Sequence, residues 1–161
     1  MGMILTVLAL LFSAADPGGW QAARWGMTPD QVLAAFPNQA KPNLSAKPFK
    51  GGLELVTIDQ IQVGDYPMHV IFRFDEKTKL LTTVVLGTNR KEDVTERDFQ
   101  ALETLFLQKY GRPWHQDEPE TSTSIWTFPT TTITLKRVQL RNIVFRSLWV
   151  AYEQKKSDAP I

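Results

Sequence analysis

No cysteine occurs anywhere in the 161 residues. Disulfide bridges, thiolate nucleophiles, zinc–thiolate centres and lipid attachment through sulfur are excluded together. Histidine is nearly as scarce, with only His69 and His115. There is no HExxH helix, no GxSxG nucleophile elbow and no glycine-rich phosphate loop. An excess of one charge is also missing: 18 basic residues stand against 17 acidic ones, with no long run of either sign. That balance gives no reason to expect nucleic acid as a partner. The one long apolar run, residues 3–12, is too short to cross a bilayer as a helix. No second such run follows, so no transmembrane segment is expected in the mature chain.

What is present fits a secreted globular domain. A hydrophobic fraction of 43% against 22% charged residues is enough for a core. Residues 3–12 are followed by Ser13-Ala14-Ala15, small residues of the kind a signal peptidase needs. Residues 1–15 therefore read as a signal peptide cleaved after Ala15, although no Lys or Arg precedes the apolar run. The location expected is periplasmic or secreted, soluble after cleavage. One domain then covers residues 16–154, and residues 155–161 read as a flexible tail.

The strongest local signal is Trp25-Gly26-Met27-Thr28-Pro29-Asp30-Gln31-Val32, running on to Phe36-Pro37. Thr28 suits an N-cap, Pro29 the first helical position and Gln31 the capping-box position. Val32, Leu33 and Phe36 fall on one helical face. A second helix, residues 96–110, opens at Thr95 with Asp98 in the box position. It carries Phe99, Leu102, Leu105, Phe106 and Tyr110 as its apolar stripe. Gly111 and Pro113 end it.

Strands are expected between and after these helices. Residues 53–63 alternate, Gly64-Asp65 makes a turn, and residues 66–74 are the clearest strand. Tyr66, Met68, Val70, Phe72 and Phe74 point one way in it, and His69, Ile71 and Arg73 the other. Residues 80–88 are apolar on both faces, as an interior strand should be. Residues 124–128, 131–138 and 140–153 follow the second helix. Residues 16–24, 38–52 and 114–122 read as loops, rich in Pro, Gly or charge. The fold class expected is α+β. Two α-β-β-β repeats, about 25–90 and 91–154, would share one antiparallel sheet with both helices packed on one face.

The segment from Trp25 to Val32, with Phe36-Pro37 behind it, resembles the helix opening of small bacterial envelope proteins of the SmpA/OmlA-like family. The doubled order of elements resembles the β-lactamase-inhibitor-protein-like fold, which has two α-β repeats. Lys109-Tyr110-Gly111-Arg112-Pro113 is also common in such proteins. The resemblance implies a scaffold that holds other proteins more often than it catalyses. The lipoproteins carry a lipidated cysteine and the inhibitor carries disulfides. This chain has neither, so no functional residue is carried over.

Candidate chemistry is sparse. His115 stands near Asp117, Glu118 and Glu120, a set that could hold a divalent cation, but the spacing matches no metal loop. No metal or other cofactor is expected. On the last strand Leu148, Val150 and Tyr152 share one parity, and Phe145 and Trp149 the other. Only one parity can meet the helices if one face is covered. The expected binding residues are His69, Arg73, Phe145 and Trp149, on the uncovered face. The function expected is non-enzymatic recognition of an envelope protein. The alternative is a small enzyme or ligand carrier with a cleft between the halves.

Overall fold

Short-range punctuation starts both helices. In the computed structural model, which describes residues 14–46, 48–50, 52–88, 94–140 and 145–156, Thr28 caps α1 (Pro29–Ala35). Its Oγ1 accepts the Gln31 N–H at 3.3 Å, and Gln31 Oε1 accepts the Thr28 N–H at 2.9 Å. Two of the N–H groups that a helix start leaves without partners are thereby satisfied. At α2 (Glu96–Tyr110) the Asp98 carboxylate accepts from the Thr95 backbone and hydroxyl at 2.6 and 2.8 Å. Gly111 ends the helix at φ +83°, a region L side chains avoid, and its N–H reaches Leu107 O at 2.9 Å.

The rest is mostly antiparallel sheet, so the chain is α+β. β1 (Gly19–Trp20) and β2 (Ala23–Arg24) form a miniature hairpin of their own. Among the described residues nine further strands make one sheet: β3 (Ala40–Pro42), β4 (Pro48–Phe49), β5 (Gly52–Val63), β6 (Tyr66–Asp75), β7 (Leu81–Thr88), β8 (Trp114–Glu118), β9 (Thr121–Thr127), β10 (Thr131–Leu140) and β11 (Phe145–Gln154). Their order is β3-β5-β6-β7-β11-β10-β9-β8, with β4 also paired to β5. β7 and β11 meet in the interior of this sheet.

Alternation decides which face is dry. Met68, Val70, Phe72 and Phe74 of β6 are wholly buried. They share one core with Val32 and Phe36 from the first helix segment and Phe99, Leu102 and Phe106 from the second. Leu148, Val150 and Tyr152 of β11 join it, as do Ile133 and Leu135 of β10. Trp20 stacks on Phe36 at 5.6 Å between ring centroids, and Phe36 meets Phe72 at 5.5 Å. Phe106 packs on Trp126 at 5.5 Å, and Tyr66 reaches from β6 to Asp98 at 3.0 Å.

Three stretches that read as loops hold strands. Residues 16–24 contain β1 and β2, fixed because Trp20 and Ala23 are buried. Residues 38–52 contain β3 and β4, which both lie outside β5. Pro42 and Pro48 fit there because an outer strand tolerates a missing N–H. Residues 114–122 contain β8, whose five residues are all exposed. A polar sequence at a sheet margin looks like a loop because there is no inward face to impose alternation. Two regions of interest lie outside the described residues: most of the expected signal, residues 1–13, and most of the expected tail, residues 157–161. Lys155, where that tail was expected to begin, still donates its N–H to Thr130 O at 2.9 Å.

Candidate functional site

The face of the sheet turned away from the core carries the candidate site. A groove of about 620 Å³ crosses β6, β7 and β11. Strand register arranges its floor in rows. His69, Gly87 and Trp149 are cross-strand neighbours, then Ile71, Val85 and Ala151, then Arg73, Thr83 and Glu153. β6 and β11 run parallel to each other through β7, so the rows stack along the strands at about 7 Å per step.

Three of the four residues expected at a binding surface line this groove: His69, Arg73 and Trp149. The fourth, Phe145, opens β11, and its side chain lies outside the described residues. The odd parity of β11 therefore turns Trp149 to the groove while Leu148 and Val150, at 1% and 0% exposure, enter the core.

Each wall has a physical support. Gly87 leaves room for the His69 imidazole: a methyl built on it would stand 2.6 Å from Cε1 and 2.9 Å from Nε2. Arg73 is held by Glu54 Oε1, to which Nη2 and Nε donate at 2.9 and 3.0 Å. Phe49 lies 4.1 Å from the Arg73 guanidinium carbon, so a residue of the 38–52 stretch overhangs the face. Phe49 and Lys50 line the groove and a second hollow of about 560 Å³ that continues it toward Lys155 and Lys156. Sequence reasoning missed Phe49, because nothing in a Pro- and Lys-rich stretch shows that it folds back over a strand.

A second polar cluster lies between α2 and the far end of the sheet. His115 Nδ1 is 2.8 Å from both Glu103 Oε1 and Ser124 Oγ, and Nε2 is 3.0 Å from Asp117 Oδ2. Ser124 also donates to Glu103. The hydrogen bond to Asp117 is the main reason the His115 imidazole titrates above its ordinary 6.5. The same contact, then Ser122, holds the Asp117 carboxyl below its usual 3.8. Ser122 connects this group to Arg137 at 3.2 Å, and Arg137 pairs with Glu96 at 2.5 Å.

The serine, imidazole and carboxylate order is that of a hydrolytic triad, but its setting differs. Ser124 is 0% exposed and its hydroxyl is committed to Glu103, so an acyl substrate has no path to it. The cluster clamps the marginal strand β8 to α2. In sequence His115 stands near Asp117, Glu118 and Glu120; in the structure its neighbours are Glu103, Ser124 and Asp117. Among the described residues no group of three or more His, Asp or Glu side chains is arranged to hold a metal ion. Nor is any helix among them long and apolar enough to cross a membrane.

Comparison with known proteins adds no assignment: no protein-family model, no curated protein and no solved structure matches this chain.

Proposed function

We propose that this protein is a periplasmic or secreted, non-enzymatic binding module that recognises a protein partner through the grooved sheet face. The observation that carries the reading is the groove on β6, β7 and β11. It gathers His69, Arg73 and Trp149 around an apolar floor of Ile71, Val85 and Ala151. An aromatic and an arginine around a partly buried aliphatic floor are the residue types that dominate protein interfaces. Two copies of one helix-then-strands unit, the first SmpA/OmlA-like in its opening, would account for this form. Each copy brings a helix to the core, and their last strands β7 and β11 meet beneath the groove. The unit boundary falls where recognition is proposed.

The test is retention of envelope proteins on the immobilised mature chain, compared with Trp149→Ala and with Leu107→Ala on the far side of α2. The reading expects a band lost with Trp149→Ala and kept with Leu107→Ala. Equal retention by all three proteins would overturn it.

A further inference from the structure

The groove is not uniform along its length, and its gradient describes the shape of an occupant. This inference rests on the binding reading above and gives the partner a chemistry. At one end stand Trp149, with His69 in the same row and Arg146 also in the lining, and, one row on, Ile71, Val85 and Ala151. At the other end the chain turns cationic: Lys50, Lys155 and Lys156 line the continuing hollow. Among the described residues no carboxylate forms an ion pair with any of these three lysines. The opposing charges are few. Asp75 spends its carboxylate on the N–H groups of Lys77 and Thr78 in its own turn. Arg73 is balanced by Glu54. Glu153 remains in the wall, across Thr83 from Arg73.

We infer that the groove takes an acidic peptide segment of a partner protein, its apolar anchor against Trp149 and its carboxylates against Lys50, Lys155 and Lys156. The length follows from the strand. From position 149 to position 155 is six residues, about 20 Å at roughly 3.3 Å each. An extended peptide covers that span with about six residues of its own. The anchor and the acidic group are therefore separated by four or five residues. Affinity comes from covering the apolar floor, and the lysines choose the sign of the partner and speed its arrival.

The experiment uses three labelled peptides and fluorescence anisotropy with the full mature chain. All three carry a leucine, a four-residue Gly/Ser spacer and a terminal trio: glutamates, glutamines or lysines. The acidic peptide is expected to bind at least tenfold more tightly than the other two. Its affinity should fall about fivefold between 50 and 500 mM salt, because exposed charges are screened. The pair of exposed substitutions Lys155→Glu and Lys156→Glu should weaken it at least tenfold without altering the circular dichroism spectrum. Glu153→Gln should tighten it about threefold, a gain that a merely structural role for the site would not produce.

Binding of the glutamine or lysine peptide as tightly as the acidic one, still sensitive to Trp149→Ala, would overturn the acidic specificity and leave the binding face standing. Absence of binding by every peptide, with envelope-protein retention indifferent to Trp149, would overturn both. Two further probes are run under the same conditions, a single-stranded oligothymidine and vesicles with anionic headgroups. Tighter binding of either than of the acidic peptide would overturn the peptide assignment in favour of that class.

Discussion

Leu148 and Trp149 are chain neighbours with opposite surroundings, and truncating each to alanine separates core from surface within one strand. Leu148 is 1% exposed and belongs to the core shared by both helices. Leu148→Ala removes three carbons from that core, about 2.4 kcal/mol at ~0.8 kcal/mol per methylene, plus a cavity contribution. The expected loss is about 3–4 kcal/mol. Trp149 faces the groove, where water replaces the lost indole and no closed cavity forms. Its truncation costs about 1 kcal/mol, the ordinary cost of a partly exposed position. For a chain of this size each kcal/mol moves Tm by about 2–4 °C, so Leu148→Ala should melt about 10 °C lower and Trp149→Ala about 3 °C lower. Urea unfolding followed by far-UV circular dichroism reads both, with unchanged m-values expected. If Trp149→Ala costs as much as Leu148→Ala, Trp149 is a core residue and the groove account fails.

Other perturbations probe the remaining supports. His115 titrates above 6.5 in the folded chain, so its clamp on Glu103 and Asp117 is complete below pH 6.5 and fades as pH rises through the folded value. Stability should decline on that alkaline side, and His115→Gln should abolish this slope when melting is compared at pH 6 and pH 9. Glu96→Gln leaves the Arg137 guanidinium, 8% exposed, without its carboxylate, and its Nε already has no partner. A loss of about 1–3 kcal/mol is expected, whereas Arg137→Met, which removes the buried charge itself, should cost less. An Arg137→Met variant less stable than Glu96→Gln would refute that asymmetry. In Gly87→Ala the new methyl meets the His69 ring at 2.6 Å and must displace it. The displacement costs about 0.5–1.5 kcal/mol, and the lost backbone freedom of the unfolded chain returns about 0.4–1 kcal/mol. Tm should hardly move while the His69 imidazole resonances shift; unshifted resonances would show that the ring does not lie over Gly87.

Legibility in the sequence tracked how local each cause was. The helix starts at Thr28 and Thr95 were readable because cap, box and apolar stripe lie within a few residues of one another. The inward face of β6 was readable because one buried face imposes strict alternation. β3, β4 and β8 were not, because an outer strand of prolines or charges has pairing partners but no patterned face. For β11 both parities were apolar, so sequence offered two answers, and only packing against the helices chose Leu148 over Trp149. Parity alone put His69 and Arg73 on one face of β6, and adding Trp149 to them needed the side of β11 that packing chose and the β6-β7-β11 order. The overhang of Phe49 on Arg73 and the approach of Glu103 to His115 needed contacts between distant segments, which no local pattern records.

Site-specific photo-cross-linking tests the central claim most directly. A photoreactive residue placed at position 85, in the middle row of the groove floor, is compared with one at position 107, exposed on α2. Irradiation of envelope extract with each protein should yield a discrete adduct from position 85 and none from position 107. An adduct from position 107 with none from position 85 would contradict recognition through the sheet.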